Sequence, residues 1–324
     1  MPELPEVETV VRMLAAKLAG LRVLRVTLAR SDILKSPRID LQSALLGRSF
    51  TSISRCGKKI LLLLLPPPPV LRERDGVRVQ SQGASSTSQP SCADLVLCIH
   101  LGMSGQLTID PADAPVRSHT HFTIDLDGNG AADSRAMQLR FRDPRRFGGI
   151  WLFDSPDAAD TNLGPEPLTL RPTQLAALLS KTRRPIKSAL LDQSLIAGLG
   201  NIYVDESLFA AAIHPLTPAN RLSDDQVRRL TRAIKTTLRR AIRHGGSSIR
   251  DYIHVNGGSG RFQDLHNVYA RENRPCPRCR TPIQRLVLSG RSTHFCPICQ
   301  KPGTGPICRT RPRRGALHKS DLSP

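Results

Sequence analysis

Four cysteines near the C-terminal end, Cys276, Cys279, Cys296 and Cys299, constrain this chain more than any other feature. They are spaced C-x2-C, 16 residues, C-x2-C. Four thiolates at that spacing can close a tetrahedral shell around Zn2+, because each C-x-x-C pair is a short turn that aims both sulfurs inward. The intervening segment, 280–295, is long enough for a β-hairpin and carries Arg280, Arg285, Arg291 and His294. The expectation is one structural Zn2+ stapling a finger with a basic loop. Spacing alone leaves open whether the loop does more than complete the fold.

The 324 residues suffice for two domains and a small appendage. Lys and Arg number 47 against 27 Asp and Glu, a net charge of +20, which calls for a polyanionic partner: nucleic acid or an anionic membrane surface. The longest apolar run, Ile60 to Leu65, meets four prolines and falls far short of the ~20 residues a spanning helix needs, so no membrane partner is expected. The first residues are acidic where a signal peptide would be basic. The half of the eight cysteines outside the finger pattern, Cys56, Cys92, Cys98 and Cys308, read as ordinary thiols of a reducing cytoplasm.

Periodicity divides the chain into an α+β arrangement. Residues 5–19 predict a helix: Pro5 opens it, Val7, Val10, Val11, Leu14 and Leu18 form one apolar stripe, and Gly20 stops it. Short β-type runs follow at 21–28, 49–54, 59–65, 95–101, 121–126, 137–141 and 149–153. Their turn-separated spacing predicts a β-sandwich, giving an N-terminal domain over 1–155. Residues 66–94 interrupt it with prolines and a Gln/Ser/Thr/Gly stretch that has little to bury, and 128–133 form a smaller insert. From 165 to 262 the pattern is helical, with short helices at 173–180, 185–191 and 202–212. A long helix opens on the capping box Ser223–Gln226, and Val227, Leu230, Ile234, Leu238 and Ile242 line its apolar face. The finger occupies 266–300. The basic tail, 301–324, reads as disordered and adds non-specific phosphate attraction.

Chemistry enters at the first six residues, Met1-Pro2-Glu3-Leu4-Pro5-Glu6. A small second residue permits removal of the initiator Met, leaving a secondary amine. An α-amino group with a pKa of ~8 is roughly one-tenth neutral near pH 7. That fraction can attack a sugar C1′ to give an iminium ion, which acidifies the neighbouring carbon. Glu3 and Glu6 stand beside it, as a proton shuttle requires. Acidic residues at a helix N-terminus also offset the helix dipole, so the hexapeptide alone does not decide between the two readings.

Four further fragments follow in order: His100-Leu101-Gly102-Met103-Ser104-Gly105, Asp143-Pro144-Arg145-Arg146-Phe147-Gly148, Gly198-Leu199-Gly200-Asn201-Ile202-Tyr203, and the four-cysteine finger. With Pro2-Glu3-Leu4-Pro5-Glu6-Val7-Glu8 they closely resemble the bacterial formamidopyrimidine-DNA glycosylase family, from Met1 to about Gln300. The resemblance implies a β-sandwich domain and a helix–two-turn–helix domain with a zinc finger, double-stranded DNA containing oxidised purines lying across the cleft between them. It implies a monomeric cytoplasmic enzyme, associated with the nucleoid through DNA, that removes 8-oxoguanine and formamidopyrimidines and then cleaves the strand by β,δ-elimination.

Residue by residue, the resemblance makes Pro2 the Schiff-base nucleophile, Glu3 the acid/base, Lys58 a phosphate contact and proton donor, and Arg291 the phosphate grip that assists δ-elimination. Glu6 orders the site. Met103, Arg145 and Phe147 match the residues that fill the duplex when the damaged nucleotide is extruded; a thioether and an aromatic wedge suit the gap and a guanidinium suits the orphaned base. His119, Arg183, Lys187 and Asn201 match DNA-contacting positions, Lys187 and Asn201 on phosphates beside the lesion. Asn201 also has the alternative of capping the helix after Gly200. The Gly-rich segment 253–262 occupies the place of the family's loop over the damaged base without matching its residues closely.

Two alternatives frame the expectation. Endonuclease VIII shares the Pro-Glu start, but Leu4 in place of glycine and the Met103, Arg145, Phe147 set favour the purine enzyme. A silent nucleic-acid-binding module would be expected to lose Pro2, Glu3 or Lys58, and all three are present.

Overall fold

The computed structural model describes residues 2–36, 39–67, 94–127, 136–159, 162–248 and 252–302. The insert over 66–94 lies outside the described residues except at its ends. So do 128–133, Cys92, Cys308 and the tail beyond 302.

Helix α1 (Leu4–Leu18) begins one residue before Pro5, with Glu3 at the N-cap. The Glu6 side chain reaches back to accept the Glu3 backbone N–H at 2.8 Å, while the Glu3 carboxylate points out of the helix. Val7, Val10 and Leu14 bury the predicted stripe against the sandwich.

The N-terminal domain is two antiparallel four-stranded sheets. One contains β1 (Val23–Leu28), β5 (Gln106–Pro111), β6 (Thr120–Leu126) and β7 (Met137–Arg142) in the order β1-β6-β7-β5. The other contains β2 (Ser49–Cys56), β3 (Lys59–Leu65), β4 (Leu95–His100) and β8 (Gly149–Phe153) in the order β2-β3-β4-β8. Phe50, Leu62, Ile99, Phe122, Ile124, Leu139, Phe141 and Ile150 fill the space between them. Strand β4 is buried along its length because its second face is also covered, by Ala159 and Trp151 against Cys98 and Val96. The sandwich agrees with the sequence reading, but β5 and the short helix α2 (Leu41–Leu45) do not appear in that reading.

The helical part comprises α3 (Pro172–Leu179), α4 (Ile186–Leu191), α5 (Asn201–Ala211) and α6 (Asp224–Arg243). Its core includes Leu175, Leu190, Tyr203, Leu208, Leu230, Ile234 and Leu238, and also Leu4 from the far end of the chain. Helix α6 opens on the predicted Ser223–Gln226 capping box. Leu4 helps join the two halves: its N–H donates to the Gly198 carbonyl at 3.0 Å, so the first residues are plugged into the helical domain. The finger is β9 (Gln284–Leu288) paired with β10 (Arg291–Phe295). Phe209, Val268, Ile283, Cys276 and Cys296 form its small core. Among the described residues no helix is long and apolar enough to cross a membrane.

Candidate active site and nucleic-acid interface

The Glu3 carboxylate is the cap of α5. It accepts the backbone N–H of Ile202 at 2.9 Å and that of Tyr203 at 3.3 Å, satisfying two of the unpaired donors at a helix start. Gly200 makes the approach possible: a Cβ there would lie 2.3 Å from Glu3 Cδ. Gly200, not Asn201, is the N-cap residue, which corrects the capping alternative for Asn201. Burial raises the pKa of Glu3, against the opposing pull of Lys58 and the two N–H groups.

Glu6 is also enclosed. Its carboxylate accepts from the Glu3 N–H, from the Tyr203 hydroxyl and from the Ser247 N–H at 2.7 Å. Burial, then the neighbouring Glu3 charge, raises it to about 7. Tyr252 hydrogen-bonds the Glu6 carbonyl at 3.2 Å. The N-terminal flank of the Gly-rich segment 253–262 is thus anchored to Glu6, the residue behind the catalytic candidate. Tyr203, Ser247 and Tyr252 were not singled out by sequence, since nothing local marks a residue whose partner lies some two hundred positions away.

Lys58 sits with Gly57 in the two-residue turn between β2 and β3. Arg55 holds that turn, donating to the Gly57 carbonyl and pairing with Glu8 at 3.0 Å and Glu166 at 2.7 Å. Burial lowers the pKa of the Lys58 ammonium; Glu3 opposes the shift, Arg291 adds to it and Glu6 opposes it. Lys58 of the β2–β3 turn is thereby within electrostatic reach of Glu3 and Glu6 at the start of the chain and of Arg291 in the finger, with Pro2 buried beside Glu3. His100, whose pKa burial and then Lys58 push down to about 4, accepts the Gly102 N–H at 3.2 Å and so faces this cluster as a neutral ring.

Met103 stands on the loop after β4, and Arg145 and Phe147 on the loop after β7. Met103 is 37% exposed and Phe147 57%, large apolar groups left in solvent. Arg145 stacks over the Phe147 ring at 4.9 Å. Asp143, fully buried, organises them, accepting Ser104 Oγ at 2.6 Å and the Gly148 N–H at 2.7 Å. The two loops touch at Gly102, φ +61°, where a Cβ would lie 2.4 Å from the Gly148 nitrogen. His119 is exposed and left-handed (φ 65°), and its carbonyl accepts the Asp143 N–H. Arg183 is exposed in the turn before α4, beside Asn220 and Arg221.

Lys187 is placed otherwise than a solvent-facing phosphate contact. Its side chain is 0% exposed, with the ammonium 2.7 Å from Asp205 Oδ1 and 2.8 Å from the Ser292 carbonyl. Asn201 Nδ2 donates to the same carbonyl at 3.0 Å. His294, read from sequence as part of a basic loop, is buried against Asp205. Arg291, adjacent to Ser292, is exposed.

The finger cysteines converge. Cys276 and Cys299 sulfurs are 3.9 Å apart, Cys279 and Cys296 sulfurs 3.4 Å, and all four lie within 4.8 Å of one another. Zn–S bonds of ~2.3 Å in a tetrahedron put sulfurs ~3.8 Å apart, so this donor set fits structural zinc. The Arg278 and Cys299 N–H groups point at Cys276 and Cys296 sulfurs at 3.4 Å each, as ordered thiolates require.

A sandwich joined to a helical domain and zinc finger, with an acidic N-terminal segment facing lysine and arginine at the junction, defines a DNA-processing enzyme class. The N-terminal domain model of formamidopyrimidine-DNA glycosylase matches residues 1–150, its H2TH domain model 163–253, and a zinc finger found in FPG and IleRS 274–302. The formamidopyrimidine-DNA glycosylase of Chloroflexus aggregans is 42% identical over 93% of this chain and 98% of its own. That of Bacillus subtilis is 39% identical over 93% and 99%. A Lactococcus lactis FPG mutant bound to Fapy-dG-containing DNA superposes with a TM-score of 0.77 at 33% identity, over 93% of this chain and 100% of that one. MutM bound to carbocyclic 8-oxo-G-containing DNA gives 0.76 at 33% identity, over 93% and 100%. The chain belongs to the formamidopyrimidine-DNA glycosylase family.

Proposed function

We propose that this base-excision glycosylase and abasic-site lyase removes oxidised purines, 8-oxoguanine and formamidopyrimidines, from double-stranded DNA through a Schiff base at Pro2. The carrying observation is the Glu3 carboxylate, which accepts the Ile202 and Tyr203 N–H groups and lies within electrostatic reach of Lys58, which Arg291 also reaches. With Met1 removed, the Pro2 amine attacks C1′. The C1′–N bond breaks, and the purine leaves with a proton from the acid side of the site. Glu3, its pKa raised by burial, holds a proton for ring opening, and its ionised form accepts the C2′ proton. β-Elimination, with that C2′ proton lost, then expels the 3′ phosphate, and δ-elimination, with loss of the C4′ proton, expels the 5′ phosphate.

Lys58, its pKa lowered, transfers a proton during elimination. Glu6 fixes the Glu3 backbone N–H and responds to the charge on Glu3. Met103, Arg145 and Phe147 fill the gap left by the extruded nucleotide, whose unstacking costs a few kcal/mol. His119, Arg183 and Asn201 contact the DNA. Zinc on Cys276, Cys279, Cys296 and Cys299 supplies only rigidity; the chemistry at the backbone belongs to Arg291, whose fork suits phosphate oxygens. All the named groups come from one chain, consistent with a monomer, and the +20 charge supports a cytoplasmic enzyme held on the nucleoid by DNA.

Borohydride trapping tests the lesion class. Duplexes with 8-oxoguanine opposite C should give a covalent adduct in large excess over thymine-glycol duplexes. Preference for thymine glycol would indicate the endonuclease VIII specificity, and no adduct with either would indicate a binding module.

A further inference from the structure

The outer edge of the finger is satisfied by side chains of another domain. Among the described residues, strand β10 pairs with β9 on one edge only. By the period-two geometry of a strand, residues 292 and 294 direct their backbone groups to the same edge. On that edge the Ser292 carbonyl accepts Lys187 Nζ at 2.8 Å and Asn201 Nδ2 at 3.0 Å, and the His294 N–H donates to Asp205 Oδ2 at 2.9 Å. Asp205 in turn holds Lys187 at 2.7 Å, with the two side chains 1% and 0% exposed. Burial lowers the Lys187 pKa and the Asp205 charge opposes the shift.

An ion pair this deeply buried is a poor source of stability, because desolvation offsets the attraction between the charges. Its value lies in geometry. A carboxylate needs an N–H opposite it, and an ammonium needs a carbonyl. Of two adjacent registers of β10 against α5, one supplies both. A slip of one residue would turn toward α5 the edge that pairs with β9.

We infer that Asp205 is a positioning residue that, through Lys187, fixes the register of β10 and hence the placement of Arg291 one residue before Ser292. This rests on the reading of Arg291 as the phosphate grip for the second cut. The Lys187 ammonium then acts on DNA through the Ser292 carbonyl rather than by direct contact.

The test compares the full-length, zinc-loaded wild type with Asp205→Asn, with the apolar replacement Asp205→Leu/Lys187→Met, and with Arg291→Ala. Each is incubated with an 8-oxoguanine duplex, and doubly cut and singly cut products are resolved against base release. Zinc content and melting temperature report on folding. The apolar pair should retain zinc and melt no lower than wild type. Its doubly cut share should fall about tenfold, as should that of Arg291→Ala. Asp205→Asn should fall in the same direction, and amide exchange at His294 should rise. A folded apolar-pair variant with a wild-type doubly cut share, alongside a deficient Arg291→Ala, overturns the positioning role of Asp205. An unaltered share in Arg291→Ala instead overturns the Arg291 reading, and the positioning proposal with it.

Discussion

The Glu3 carboxylate spans 199 positions of sequence to accept the Ile202 N–H at 2.9 Å. That bond joins the first residues of the chain to the start of α5, and it makes the site a junction between domains rather than a property of either. Glu3, beside the proposed nucleophile Pro2, is held by a helix N-terminus, which favours its ionised form, inside a buried pocket, which favours its neutral form. A proton-transfer group benefits from both influences.

Gly200→Ala tests that arrangement. The new Cβ would lie 2.3 Å from Glu3 Cδ and 2.5 Å from Oε1, so the carboxylate must leave the helix end. Base excision should fall by about a hundredfold or more, the scale of a 1 Å misplacement. Binding to an undamaged duplex should change little. Steady-state excision and a fluorescence titration separate the two.

Glu6 predicts a pH signature of stability. Its folded pKa is raised from 4.5 to about 7, so the folded state binds the proton more tightly than the unfolded chain. The contribution is fully present below about 4.5 and is lost as pH rises through about 7. Glu6→Gln removes it. The difference in melting temperature between wild type and variant should therefore shift with pH across that window, with wild type losing more on going up.

Much of this was legible in the sequence because it is local. Val7, Val10 and Leu14 recur at helical spacing, Ser223 and Gln226 announce α6, and the cysteines announce a finger with a hairpin. Strand β5 escaped because Gln106–Pro111 has only Leu107 and Ile109 as an apolar alternation and ends in proline. It is recognisable as a strand mainly through its partner β7. The placement of Lys187 escaped for a related reason. A lysine reads as a surface cation until Asp205, on a different helix, is known to face it. Asp143 is similar, since a carboxylate in Asp-Pro-Arg-Arg-Phe-Gly gives no sign that it ties Ser104 to Gly148.

Arg55 should matter for stability and catalysis together. Its side chain is 6% exposed and bridges Glu8, Glu166 and the Gly57 carbonyl. Arg55→Met leaves those acceptors without their donor, at a cost of about 2 kcal/mol in denaturant unfolding. Because the Gly57–Lys58 turn loses its tether, strand cleavage should fall further than duplex binding does.

The finger packs Val268, Ile283 and its cysteines on Phe209 of α5, in a cluster separate from the sandwich core. Cys296→Ser, or chelation, should therefore release zinc and abolish tight DNA binding while the sandwich still melts in its own transition. Metal analysis, a binding titration and calorimetry on the same sample decide it. Normal DNA affinity in a zinc-free sample would make the finger dispensable.

The most direct measurement is peptide mapping of the adduct trapped by borohydride on an 8-oxoguanine duplex. The trapped chain should begin at Pro2 and carry the reduced deoxyribose on the Pro2 nitrogen. A sugar found on Lys58 or any other side chain, or an active preparation that retains Met1, would contradict the Schiff base at Pro2.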